Sequence, residues 1–451
     1  MGDMERRTVV TPNALAVTLT RDSCRLRARE TVTVLIMEDE IPTIPDFSED
    51  APPLAGVRVL DLTHVIAGPF GTTMLADLGA EVVKVEKPGS GDDLRSTGRY
   101  PDREEHEDLF NANNRSKKSI TVDLKQAEGR ALCQRLAAIA DVVVENFAPG
   151  TAARLGMGWD YLKSLNPRLV YCSLSGFGQT GPYSNRPALD ILVQAMTGLM
   201  SVTGTPDGPP LKAGAPLGDV ISGMMASYAI LGALYAVKRE GVGRYIDVSM
   251  QGSLLAALGP RMGQALHAGV AARRIGNENP MRVPSHAYLT ADGHWLTIQV
   301  NSQRHWAPFC RALEHEAWVD DPRFATMRTR AENRILLNGL VTERFGERPL
   351  AEWSDRLESE RVPYAPILDY AEAVSDPQIQ HRGQVLELDH ATSGKVRVVG
   401  PGWQMSGAQA EASAPPILGQ HNENVLCDWL GLDEGEIRAL AGVLRETVEN
   451  E

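Results

Sequence analysis

From residue 54 onward, short apolar runs alternate with longer amphipathic stretches. Residues 57–62, Val-Arg-Val-Leu-Asp-Leu, form a compact run of leucine and β-branched positions that predicts a buried strand. Gly68-Pro69 then opens a helix that continues to about residue 79, with proline in the first turn, where a missing N–H is harmless. The strand pattern returns at 81–85, 119–124, 141–144 and 168–173, and a helical stretch at 127–139 lies between the second and third of these. Strands that are apolar at consecutive positions and alternate with helices predict an open, mainly parallel α/β sheet.

Residues 219–237 read as a long apolar helix whose small residues, Gly223, Ala226, Ser227 and Gly232, suit close packing. A strand at 245–250 and another helix follow, and an Arg-, Gly- and Pro-rich crossing segment spans about 265–285. Residues 287–289 and 294–300 pair around an Asp292-Gly293 turn as a hairpin. Helices are expected at 303–314, 329–346 and 350–358, and two acidic amphipathic helices after Pro415. The chain therefore divides into an extension (1–52), a large α/β domain (53–260), a smaller α+β domain with its linkers (261–385) and a C-terminal segment returning to the large domain (386–451). The first 36 residues carry six arginines against four acids and lack helical periodicity. They read as a poorly ordered appendage, either transit-like or upstream of a start at Met37.

Composition narrows the function classes. The 451 residues sum to a net charge of −13, the wrong balance for a general nucleic-acid binder. Nine acids against two bases in residues 401–451 supply more than half of that deficit, whereas residues 84–154 carry twelve of each sign. Uninterrupted apolar runs of spanning length are absent, so no membrane segment is expected. Five scattered cysteines without a C-x-x-C pair fit a reducing cytoplasm and give no zinc site, and no histidine pair has metal spacing.

Several stretches carry candidate chemistry, each with a plainer reading beside it. Gly176-Phe177-Gly178-Gln179-Thr180-Gly181 matches G-x-G-x-x-G after a strand, but Pro182 and Pro187 follow and no helix starts there. A glycine turn explains it better than a dinucleotide site. His64 sits where the first strand meets its helix, the place where open parallel sheets bind ligands; it equally suits a loop histidine satisfying backbone. The basic run Asn113-Asn114-Arg115-Ser116-Lys117-Lys118 is solvated surface or, together with Lys125, Asn146 and Arg154 at successive strand ends, part of an anion site. Asp219 begins the long helix, as an N-cap or as a carboxylate nucleophile kept ionised by helix N–H donors.

Taken together, these stretches resemble the class III CoA-transferases, the group that includes formyl-CoA:oxalate and carnitine CoA-transferases and 2-methylacyl-CoA racemases. The strings that carry the resemblance begin with residues 54–61, 64–69, 79–91 and 114–123, and continue with 141–150, 175–183, 214–223 and Leu418-Gly419-Gln420-His421. The resemblance covers about residues 53–445. It implies a large split Rossmann-like domain joined to a smaller α+β domain, with two ring-like chains interlocked as a homodimer. It implies that Asp219 is the catalytic nucleophile, and that His64, Val65, Ile66, Ala67, Lys87, Val122, Lys125, Asn146, Phe147, Ala148 and Arg154 contact coenzyme A.

The family's racemases place histidine before aspartate on the helix after the Gly-Pro-Tyr loop. This chain has Leu189-Asp190 there, and leucine supplies neither acid nor base, so racemisation is disfavoured. Oxalate-active members have glutamine where this chain has Ile66, and a glycine-run loop where it has Gly276-Asn277-Glu278-Asn279-Pro280. An apolar Ile66 points to a bulkier acid than formate or oxalate. The resemblance thus implies transfer of CoA from an acyl-CoA to a free carboxylic acid through an aspartyl-CoA thioester on Asp219. CoA is substrate, no cofactor is tightly bound, and backbone N–H groups near 276–279 or at the start of the Asp219 helix stabilise the oxyanion. The alternatives are a 2-methylacyl-CoA epimerase and a non-catalytic subunit of a heteromeric transferase.

Overall fold

The computed structural model describes residues 51–97 and 108–444. The appendage expected over 1–52 lies outside the described residues except for its last two.

Six strands build the central sheet: β1 (Arg58–Leu62), β2 (Glu81–Glu86), β3 (Lys117–Thr121), β4 (Val142–Glu145), β5 (Val170–Ser175) and β6 (Arg244–Ser249). Every neighbour is parallel, in the order β3-β2-β1-β4-β5-β6. Alternate residues feed two cores, as the period of two along a strand requires. Leu60, Leu62, Val83, Ile120, Val143 and Tyr171 face the helix Ala127–Ile139 and the C-terminal helices. Val59, Val82, Val142, Val144, Val170 and Cys172 face the helices Ala67–Asp77 and Leu217–Glu240. Coverage on both faces is why the strands read as continuous apolar runs.

Two boundaries moved for one reason. The third strand was expected at 119–124 but spans Lys117–Thr121. Lys117 is a sheet residue because its ammonium is fully buried against Asp61 at 3.0 Å. Arg115 pairs with Asp77 and Lys118 with Glu81 at 2.6 Å, so the basic run is neither solvated surface nor an anion site but internal pairing.

A separate core forms around β7 (Ser285–Leu289), β8 (Trp295–Gln299) and β9 (Tyr364–Pro366), an antiparallel sheet packed on Trp306, Phe309, Phe324 and Trp353. Within it the fully buried Arg330 donates to the carbonyls of Val283 and Phe324, both at 2.9 Å. The hairpin β10 (Val385–His390) and β11 (Gly394–Val399) was not anticipated, and the crossing segment contains a short helix, Gly263–Ala268. After the hairpin the chain returns to the sheet edge. His421 N–H donates to the Ser119 carbonyl at 2.9 Å, and Thr121 N–H to Asn422 at 2.8 Å. Among the described residues three short helices follow, where two were expected: Asn422–Leu430, Glu434–Ala439 and Ala441–Leu444.

The helix Leu217–Glu240 is 24 residues long and, by length and composition, apolar enough to cross a bilayer, contrary to the expectation from sequence. It instead crosses the helix Ala67–Asp77 at two glycines. A Cβ on Gly223 would stand 2.5 Å from the Ala67 carbonyl oxygen, and one on Gly71 would stand 2.7 Å from that of Gly223. Only glycine permits that approach.

Candidate functional site

The sheet order reverses between β1 and β4, and such a switch point opens a crevice beyond the carboxyl ends of the strands. A cavity of about 420 Å³ lies there. His64, Lys87, Val122, Lys125 and Phe147 line it, together with Thr63, Lys84, Glu86, Asp92 and Thr151. Five of the expected CoA contacts are thereby brought together. His64 and Phe147 face each other with ring centroids 5.7 Å apart. Lys87 and Lys125, which follow β2 and β3, are exposed cations at the rim.

The other expected contacts stand differently. Asn146 is bound to the backbone of His64 in both directions, accepting its N–H at 2.9 Å and donating to its carbonyl at 2.8 Å. It braces the rim instead of presenting a free amide. Val65 donates its N–H to Asp92, Ile66 precedes the first turn of the Ala67–Asp77 helix, and Ala67 is buried under Gly223. The Ala148 carbonyl accepts from Thr151 N–H, and the exposed Arg154 donates to the Thr151 hydroxyl at 2.7 Å. Neither Ala148 nor Arg154 is among the lining residues.

Beneath the cavity runs a buried ionic lattice that the sequence reading missed. Asp61 accepts from Thr63 (2.5 Å), Thr72 (2.6 Å) and Lys117 (3.0 Å). Burial favours its neutral form, but Lys117, Lys84 and these hydroxyls outweigh burial and hold its carboxyl at about 2. Lys84 pairs with Asp92 at 2.9 Å, and Arg95 makes two 2.8 Å hydrogen bonds to Glu86. The signal was present in the letters: Asp61, Lys84 and Glu86 interrupt apolar strands, and a charge in a strand buried on both faces requires a partner on the next one. His64, above this lattice, is pushed below its ordinary pKa by burial and then by Lys84, which favours the neutral imidazole.

Asp219 lies in the first turn of the Leu217–Glu240 helix, four residues before Gly223 and on the same face. Gly223 touches Ala67, so the Asp219 backbone lies one helical turn before that contact, and Asp219 is not among the residues that line the cavity. Neither sequence account of its environment survives. The N-cap position belongs to Pro216, and Asp219 makes no capping hydrogen bond. The cap comes from Asp190, whose carboxylate accepts Gly218 N–H at 2.7 Å and Gln194 Nε2 at 2.7 Å. Helix donors therefore do not keep Asp219 ionised. Burial, and secondarily the Asp190 charge, push it up to about 7.

The expected oxyanion donors are mostly engaged elsewhere. The N–H groups of Gly276, Glu278 and Asn279 bond to the carbonyls of Gly204, Ile275 and Ser285, and that of Gly218 to Asp190. Among the described hydrogen bonds of these two segments, the N–H groups of Asn277 and Asp219 remain uncommitted.

A Rossmann-ordered sheet and a switch-point cavity with a cationic rim suit an α/β protein that handles an anionic, nucleotide-like ligand. The chain belongs to CoA-transferase family III, whose family model matches residues 54–422. It is 40% identical over 397 residues to the succinyl-CoA:glutarate CoA-transferase of Mus musculus, covering 87% of this chain and 91% of that protein. It is 36% identical over 404 residues to the formyl-CoA:oxalate CoA-transferase of Streptomyces coelicolor, covering 86% and 97%. Among solved structures it is similar to a CAIB/BAIF family protein from Brucella suis, with a TM-score of 0.77 and 34% identity, covering 84% of this chain and 99% of that one.

Proposed function

We propose that this protein transfers CoA between dicarboxylic acids, with a succinyl-CoA-type donor and a five-carbon dicarboxylate such as glutarate as acceptor. The observation that carries the reading is Asp219, a half-buried carboxylate one helical turn before the Gly223–Ala67 contact, in a chain whose relatives move CoA. The relatives named for succinyl-CoA and glutarate, at 40% and 38% identity, and the apolar Ile66 support the dicarboxylate class.

The Asp219 carboxylate attacks the donor thioester carbonyl, expelling CoA thiolate and forming a mixed anhydride. The thiolate attacks the aspartyl carbonyl, giving an enzyme thioester and releasing the donor acid. The acceptor carboxylate attacks that thioester and again expels thiolate, which takes the acyl group from the second anhydride and regenerates Asp219. One thioester replaces another, so no energy donor is consumed. The Asn277 and Asp219 N–H groups are the donors assigned to the developing oxyanions. CoA lies over His64, Val65, Ile66, Ala67, Val122, Phe147 and Ala148, with Lys87, Lys125 and Arg154 meeting its phosphates and Asn146 holding the corner.

The same reading places the enzyme in the cytoplasm as an interlocked homodimer, with its domains divided at residues 260 and 385. Its free cysteines fit a reducing compartment. Tyr228 and Leu266, 77% and 75% exposed, fit a surface that a second copy covers. The test is exchange of labelled CoA from succinyl-CoA across a panel of mono- and dicarboxylic acids. A kcat/KM for glutarate at least about tenfold above that for oxalate and formate is expected. Equal or better use of oxalate refutes the assignment.

A further inference from the structure

Among the described residues, Val65 is the β-branched residue in the left-handed region, with φ 67°. Glycine adopts that conformation freely, whereas a branched side chain resists it, so the surroundings must hold it in place. The structure shows how. Lys84 donates to the Thr63 carbonyl at 2.6 Å, and Asn146 grips both backbone groups of His64. Val65 N–H points at Asp92, 3.1 and 3.2 Å from its two carboxylate oxygens.

Asp92 is itself immobilised. It pairs with Lys84 at 2.9 Å, accepts Leu94 N–H at 3.0 Å and donates its own N–H to Glu86 at 3.0 Å. The backward turn at Val65 sends the chain from β1 into the helix Ala67–Asp77 and leaves His64 facing Phe147 across the cavity. A bare carboxylate here would repel an anionic ligand. Lys84, with its side chain fully buried, neutralises it and frees it to serve as a backbone anchor.

We infer that Asp92, clamped by Lys84, is a positioning residue that holds Val65 left-handed and so shapes the 64–67 corner against which the CoA ester binds. The inference takes the identity of the ligand from the proposed function. Thr63, His64, Lys84 and Asp92 line the cavity, but Asp92 acts through the backbone of Val65, which does not line it.

The experiment compares charge-balanced variants, so that no buried charge is orphaned, by calorimetric titration with coenzyme A and by urea unfolding. Lys84→Met/Asp92→Leu removes the acceptor and weakens CoA binding about tenfold. Lys84→Met/Asp92→Asn keeps an amide oxygen for Val65 N–H and binds CoA severalfold more tightly than the leucine pair. Adding Val65→Gly to the leucine pair restores binding to within about threefold of the asparagine pair, a relief that a mere packing role would not produce. The inference is overturned if the two pairs bind alike or if glycine restores nothing. Failure of the wild-type chain to bind CoA refutes the proposed function instead. The inference is then decided by unfolding: Val65→Gly must stabilise the leucine pair more than it stabilises the wild type, and an equal effect overturns it.

Discussion

Replacing Asp190 by asparagine should move the acid limb of the pH–rate profile downward. Two causes raise the Asp219 carboxyl from 3.8 to about 7, burial first and the Asp190 charge second. Asp190 is the smaller of the two causes, so neutralising it lowers the carboxyl without returning it to its ordinary range. The change is mild in structure, because the asparagine oxygen still accepts Gly218 N–H, now at 2.7 Å, and only the contact with Gln194 is lost. In the proposed mechanism Asp219 attacks as the carboxylate, so activity should be lost as pH falls through its pKa. At pH 6 a group with pKa of about 7 is roughly one-tenth ionised, so lowering that pKa should raise kcat/KM there by a few-fold and by at most about tenfold. At pH 9, where both forms are ionised, it should not change. The assay is initial-rate CoA exchange from pH 5 to 9. A midpoint that stays in place or moves upward refutes the electrostatic coupling of Asp190 to Asp219.

The same raised pKa carries a cost to stability. Ionised Asp219 disfavours the fold, an effect absent below pH 3.8, growing towards pH 7 and complete above it. Asp219→Asn should therefore stabilise the protein against urea at pH 8 by about 2 kcal/mol, allowing for the partial exposure of the group, and by nothing at pH 3.5. Lys117→Met leaves Asp61 buried without its nearest cation and should cost about 3–5 kcal/mol in urea unfolding, most of it recovered in Asp61→Asn/Lys117→Met. Tyr228→Arg places a charge on the apolar face assigned to the second subunit and should lower the urea midpoint of the dimer, because linked chains lose that contact only as they unfold.

The sheet was legible because its strands are buried on both faces. Runs such as Val82-Val83 and Val142-Val143-Val144 leave no competing period, and the helix Ala127–Ile139 has the bounds that its pattern predicts. The first error, at β3, came where a charge enters the core: hydropathy assigns Lys117 to the surface, and only its pairing with Asp61 on another strand explains its place. The hairpin at 385–399 was missed although Leu386-Glu387-Leu388 and Val396-Arg397-Val398 alternate and Gly394 marks its turn. At the site, the residue types were readable and their duties were not. Asn146, expected to contact CoA, also braces the His64 backbone, and the cap that was one of two readings of Asp219 is made by Asp190, 29 positions earlier. Such roles depend on separations of 28 and 82 residues between partners, which local pattern does not encode. The left-handed Val65 is illegible in principle, since valine is the residue least expected there.

The central claim is that Asp219 forms a covalent thioester with CoA. Wild-type enzyme should be quenched with hydroxylamine during turnover with succinyl-CoA, digested and mapped by mass spectrometry. The account predicts a hydroxamate on the peptide carrying Asp219, lost when succinyl-CoA is omitted, and no exchange activity in Asp219→Ala. A hydroxamate on another carboxylate, or near-normal turnover by Asp219→Ala, would contradict it.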